Sequence, residues 1–259
     1  MRIPIYQIDA FTDEQFKGNP AAVCPLEKWI DNDLMQSIAA ENNLAETAFF
    51  VKKGKGYELK WFTPKAEIDL CGHATLAAAY VIFTYLDESQ MNVKFHTKSG
   101  ILEVSRDREL LTMTFPAREG EKCEAPEALI RGLGKEPIET YLSRDYLAVF
   151  ESEQDLLDLE LNMEELKKLD AFGVIATAKG KESDFASRFF APKAGVDEDP
   201  VTGSAHCTLV PYWKKVLNKS EFTALQLSER GGMLYCEDLG DKVKLSGEAV
   251  AYLEGYIHV

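Results

Sequence analysis

The chain has 259 residues, 46% of them hydrophobic, and a formal charge of −14 from 43 acidic and 29 basic side chains. This is a globular composition with material for two domains of ordinary size, and its acidic surplus argues against nucleic acid, whose phosphates need clustered Lys and Arg. No run approaches the ~20 apolar residues of a membrane helix, no signal-peptide core precedes the first strand, and five cysteines without paired spacing suit free thiols in a reducing compartment, so the reading is a cytoplasmic protein with neither membrane nor nucleic-acid partners.

In chain order, Met1-Arg2-Ile3-Pro4 runs into a strand, and Asp33 to Gln36 places a capping residue three before a Gln, a helix-start signature. A strand over Leu44–Phe50 follows, interrupted by Glu46. After the block WFTPKAEID at 61–69, Gly72-His73-Ala74 opens an apolar stretch long enough for a helix. Gly100-Ile101-Leu102 starts a hairpin that turns at Arg106 to Glu109 and ends near Met113. The segment Phe115–Pro137, with three prolines and three glycines, marks a boundary that few contacts should cross.

Beyond it the order recurs. Asn162 to Glu165 is a helix start, Asp170 to Val174 a strand without an acid, and 189–197 read FFAPKAGVD, identical to the first block at five of nine positions with a spacing of 128. Gly203-Ser204-Ala205 opens another helix, and Gly232-Met233-Leu234 another hairpin, turning at Asp238 to Asp241 and ending near Leu245. A repeat of this length means a duplicated architecture. Lys65 and Lys193, inside the repeated blocks, are expected to be solvated.

Two kinds of chemistry stand out. The helix openings at Gly72-His73 and Gly203-Ser204 present unsatisfied N–H groups and the positive end of a helix dipole, which suits a small carboxylate; packed about a pseudo-twofold axis, the halves would bring the two openings to one cleft. Glu46 among Leu44, Phe49 and Phe50 would lose solvation, which raises a carboxyl pKa and equips it to move a proton to and from carbon. A Glu facing outward from a half-exposed strand fits the same pattern. Neither Cys71 with His73 nor His206 with Cys207 has structural-zinc spacing, and the phosphate-loop and dinucleotide fingerprints are missing, so no metal and no cofactor is expected.

The segments Asp9-Ala10-Phe11, Gly18-Asn19-Pro20-Ala21-Ala22-Val23, Ala45-Glu46-Thr47, Asp69-Leu70-Cys71-Gly72-His73-Ala74-Thr75, Glu198 to Ala205 and Arg230-Gly231-Gly232 together resemble the PhzF family, the phenazine-biosynthesis-like isomerases. The resemblance implies a fold like that of diaminopimelate epimerase and a cofactor-free homodimer. In the named member it implies isomerisation of a dihydro-hydroxyanthranilate by proton transfer between ring carbons. It makes Glu46 the acid/base, puts His73, Asp199 and Ser204 at the site, gives the substrate carboxylate to backbone groups near Gly72 and Gly203, and has Gly18-Asn19-Pro20 shape the pocket. Many relatives read Ser-Glu-Thr where this chain has Ala45, one hydroxyl fewer. On the residues themselves, His73 and Ser204 could also be helix caps, and Asp199 a turn former before Pro200.

The expected fold is therefore α+β, with two pseudo-symmetric domains, each a curled mixed sheet around a central helix. The domains are 1–117 and 118–247, with 248–259 free to return to the first. The expected function is cofactor-independent isomerisation of a small cyclic or unsaturated amino or hydroxy carboxylate. The alternatives are a racemase or epimerase using Cys71, or a non-catalytic small-anion-binding protein.

Overall fold

Strands β1 (Arg2–Ala10) and β2 (Asn19–Leu26) pair antiparallel, Tyr6 opposite Val23 and Ala10 opposite Asn19, in the computed structural model, which describes residues 1–259. The chain divides into unit 1, Met1–Met113 with Ser246–Val259, and unit 2, Thr114–Leu245.

In unit 1, helix α1 (Asn32–Asn42) is capped by Asp31, whose carboxylate accepts from Asp33 N–H. The cap thus lies two residues before the Asp33 expected from the capping pattern, because Asp31 itself satisfies the open first turn. Met35, Ile38 and Ala39 form one buried face, packed with Ile3, Cys24, Phe49 and Phe62. Asn43, left-handed at φ 50, ends the helix and sends the chain into β3 (Glu46–Lys53), parallel to β2 with Ala21 opposite Glu46. Strand β4 (Gly56–Phe62) returns antiparallel, and β5 (Glu67–Ile68) folds back on its end.

Helix α2 (Gly72–Val81) then leads to a π-helical turn, Ile82–Leu86, and to β6 (Asn92–Thr97), parallel to β4. Strands β7 (Gly100–Asp107) and β8 (Leu110–Pro116) complete the meander, and the chain's last strand, Ala249–His258, pairs antiparallel with β1. Helix α2 is buried on nearly every side, its His73 to Ala79 and Val81 all inside. A helix apolar all round belongs in a core, and its alanines combine strong helix propensity with a slim profile that lets the sheet curl close around it.

Unit 2 repeats this order. Strand β9 (Glu121–Cys123) precedes α3 (Glu127–Leu133), β10 (Glu139–Leu142) and β11 (Tyr146–Val149). Two short helices follow, α4 (Glu153–Leu157) and α5 (Met163–Leu166), the second capped by Asn162 as its sequence suggested. Strand β12 (Val174–Lys179) runs parallel to β11 and β13 (Phe185–Phe190) antiparallel to β12. Helix α6 (Gly203–Leu217) leads to β14 (Glu221–Gln226), parallel to β13, and then to β15 (Gly232–Asp238) and β16 (Lys242–Gly247). Leu129, Leu133, Leu156 and Leu166 of α3–α5 pack with Val174, Ala176 and Ala178 on one face of the sheet; on the other, Trp213 of α6 donates to Thr177 at 3.0 Å.

Several local expectations change. The chain divides after Met113, at the start of the stretch read as a boundary, and residues 115–137 also hold structure of unit 2, β9 paired with β10 and α3 half core. Residues Asp170–Gly173 are a turn before β12. Lys65 and Lys193 are both exposed, as expected, and Lys193 also donates to the Leu169 carbonyl. Pro211 inside α6 cannot donate to the Cys207 carbonyl four residues back, and Arg118 N–H fills that vacancy at 2.8 Å.

The β1–β2 connection depends on Gly18, at φ +63, where a Cβ would lie 2.2 Å from the Ala10 carbonyl oxygen. Gly54 has a similar φ of +59 and open space around it. Gly54→Ala should therefore cost about 1–2 kcal/mol, the left-handed penalty alone, and Gly18→Ala more than about 3 kcal/mol, since backbone must also move. Urea unfolding of the two variants measures the difference; equal losses would contradict the steric argument.

Candidate active site

Side chains alternate across a strand, so Glu46 and Phe49 face opposite ways from β3. Phe49 belongs to the α1 cluster, and Glu46 is therefore directed to the α2 side. Glu46 opens β3 instead of interrupting its middle, and its neighbour is not the wall of Phe49 expected from the sequence but the second residue of α2. His73 Nε2 lies 3.0 Å from Glu46 Oε2, the two side chains only 7% and 16% exposed. On the other side of the imidazole, Cys71 Sγ lies 3.6 Å from Nδ1. The result is a buried row of thiol, imidazole and carboxylate from two elements.

Burial by itself disfavours the imidazolium of His73, but its close neighbours Cys71 and Glu46 outweigh that and hold its pKa well above the ordinary value. Burial pushes the Cys71 thiol up to about 11.

Asn19, fully buried, begins β2 two residues before Ala21, the register partner of Glu46, and so shares its face of the sheet. Gly72 is the first residue of α2, whose N-cap Cys71 offers no side-chain cap. Helices α1, α4 and α5 each begin on a side-chain cap, so the uncapped start of α2 leaves backbone donors open beside the Glu46–His73 pair. Glu46, Cys71 and His73 also present ligand atoms within 4.8 Å of one another. These are the residues that could hold a metal, a convergence the helix-start spacing did not suggest; a cation would have to displace a contact that His73 makes through one of its ring nitrogens.

In unit 2, Gly203 is likewise the first residue of an uncapped helix, after Thr202. Ser204 is one residue inside α6 and is not its N-cap; its hydroxyl accepts from Arg144 Nη2 at 3.1 Å. Arg144 forks onto the fully buried Asp145 and stacks 4.5 Å over the Phe172 ring, which fixes its direction. Asp199 accepts from the Thr202 hydroxyl at 2.5 Å, and the buried Gln226 ties both residues down, donating to the Asp199 carbonyl and accepting from Thr202 N–H. The imidazole of His206, buried beside the Thr202 carbonyl, has its pKa lowered to about 4 by burial and stays neutral.

Unit 1 thus gathers Glu46, His73, Asn19 and Gly72, and unit 2 gathers Asp199, Gly203 and Ser204. The contacts of Cys71, Arg144, Asp145 and Gln226 were not found from sequence. Arg144 had a signal: it lies between β10 and β11, the counterpart of the β1–β2 connection that leads to Asn19, and carrying the repeat back one strand pair reaches it.

The sequence pattern of the PhzC-PhzF family, phenazine biosynthesis-like proteins, matches residues 8–255. An uncharacterized isomerase of Pseudomonas aeruginosa is 46% identical over 259 residues, with 100% of each chain covered. The crystal structure of a PhzF-family phenazine biosynthesis protein from Enterococcus faecalis matches with a TM-score of 0.98 and 45% identity, covering 100% of both chains. A hydroxyproline epimerase from Agrobacterium vitis, 9% identical, shares the fold at a TM-score of 0.62 over 99% of this chain and 92% of its own.

The raised His73 pKa makes stability depend on pH. A folded pKa above the unfolded value of about 6.5 gives a contribution fully present below 6.5 and lost as pH rises through the folded value. The stability advantage of the wild type over Glu46→Gln should therefore shrink from pH 6 to pH 9 in denaturant titrations. A constant difference would show that the two groups do not share charge.

Proposed function

Because the chain belongs to the PhzC-PhzF family of phenazine biosynthesis-like proteins, we propose that it is a cofactor-independent isomerase in which Glu46 moves a proton between carbons of a small cyclic or unsaturated amino or hydroxy carboxylate. The observation that carries the reading is the buried pair, Glu46 Oε2 to His73 Nε2 at 3.0 Å.

The Glu46 carboxylate takes a proton from a carbon next to an unsaturated or carboxylate-bearing position. The electron pair left behind delocalises into the π-system, and the carboxylic acid formed on Glu46 returns the proton at a second carbon. The bond broken and the bond made are both C–H, so nothing is oxidised or reduced. His73 holds the carboxylate in one orientation, and its positive charge offsets the anion that the site must bury. The open N–H groups at Gly72 are assigned to the substrate carboxylate, and Asn19 to the pocket wall.

For unit 2 the same reading gives Gly203 and Ser204 carboxylate-binding roles and Asp199 the positioning of an amino or hydroxyl group. Arg144 adds a fixed cation at Ser204, which supports an anionic substrate. The absence of a hydroxyl at Ala45 leaves Glu46 without one hydrogen-bonding neighbour that many relatives have, and His73 remains its close polar partner.

Incubating a panel of cyclic dihydro-amino acids and simple amino acids in deuterated water tests the reading. Uptake of deuterium at carbon should fall about 10²–10⁴-fold in Glu46→Gln, while Cys71→Ala should retain most of it. Loss in Cys71→Ala with retention in Glu46→Gln would favour the racemase alternative, in which the thiol removes the proton. Absence of uptake with every compound would favour an anion-binding protein of the same fold.

A further inference from the structure

Unit 2 contains a cavity of about 280 Å³ that the Glu46 chemistry does not use, lined by Glu139, Tyr141, Leu147, Thr208, Tyr212 and Val216. A cavity of roughly 150 Å³ admits benzene, so one or two fused rings fit here. Its walls come from β10, β11 and one face of α6, on which Thr208, Tyr212 and Val216 succeed one another at helical spacing.

Two features mark this cavity as built for a ligand. The first is polar: Thr208 is 1% exposed, yet its Oγ1 is buried without a hydrogen-bond partner. A threonine inside a helix ordinarily bonds back to the carbonyl four residues earlier, and an unsatisfied buried hydroxyl is destabilising. The second is the fixing of the aromatic walls. Tyr141 and Tyr212 meet edge to face with ring centroids 5.4 Å apart, and both hydroxyls donate to Glu139 Oε2, at 3.0 and 3.2 Å. Lys122 donates to the other Glu139 oxygen at 3.0 Å. The carboxylate is thus occupied by three donors, and the rings are held before anything binds. Among the polar side-chain atoms of these walls, Thr208 Oγ1 is the one buried without a partner.

We infer that unit 2 carries a second small-molecule site, whose ligand is an uncharged aromatic molecule of one or two rings with a single hydrogen-bonding group, seated against Tyr141 and Tyr212 with that group on Thr208 Oγ1. A charged ligand is disfavoured because Glu139 is already neutralised by Lys122, and the rim residues Glu119 and Lys215 pair with each other. The site is independent of the isomerase reading, because none of its residues belongs to the Glu46 row.

The test uses phenol, toluene and indole as probes, with calorimetry and saturation-transfer NMR on the full chain. Phenol and indole should bind saturably at one site per chain, and toluene, the same size without the hydroxyl, about 3–10-fold more weakly than phenol, the worth of one hydrogen bond. Thr208→Val keeps the shape and removes the hydroxyl. It should erase the preference of phenol over toluene while leaving toluene binding unchanged. Val216→Trp, at the exposed mouth, should weaken all three probes more than tenfold, with circular dichroism confirming that both variants fold. Unsaturable binding, or a phenol preference that survives in Thr208→Val, would overturn the assignment.

Discussion

A carboxylate and an imidazole held 3.0 Å apart with little access to water are the constraint on which the candidate chemistry depends. Placing them there requires a strand that enters the sheet parallel to its neighbour and a helix that starts on the same face. The chain meets the first need with α1, the crossover between β2 and β3, and the second with α2, the crossover between β4 and β6. Two buried ions would be costly if either lacked its partner, so the pair ties the packing of β3 and α2 to the chemistry.

The duplicated architecture shows which parts of this arrangement are general. Each unit threads an alanine- or small-residue-led helix into a curled sheet and leaves its first turn without a side-chain cap, at Gly72 and at Gly203. Of the helices outside the two centres, α1, α4 and α5 begin on side-chain caps and α3, after Pro126, does not. Open helix starts are the shared inheritance, and the side chains around them diverged. Unit 1 placed an acid and a histidine there; unit 2 placed Arg144, braced by Asp145, against Ser204.

Several elements were legible because their causes are local. The two glycine-led helix starts, the Asn162 cap and the two hairpins follow from turn chemistry and short-range periodicity, and the repeated nine-residue block pointed to the duplication. Each copy folds back on itself, but differently: Trp61 pairs with Ile68 in the first, whereas in the second Ala191, the counterpart of Thr63, bridges Val196 around a 3-10 turn. The misses have local causes too. Asp31 took the cap assigned to Asp33 because two acids compete within one turn, and the composition of 115–137 marked the division after Met113 without revealing strand β9 and helix α3 inside the stretch.

The sequence by itself determined the α+β class, the duplication and the starts of both central helices, properties carried by short windows or by their repetition, and it singled out Glu46, His73 and Ser204 as candidates, with Asp199 added by the family resemblance. Only the tertiary structure decided what those residues touch. That Glu46 meets His73 rather than Phe49, that Cys71 completes the row, that Ser204 accepts from Arg144 and that Pro211 hands the Cys207 carbonyl to Arg118 all follow from strand register and helix placement. Register joins residues tens of positions apart, and a shift of one would turn every side chain of a strand to its other face, which no local pattern records.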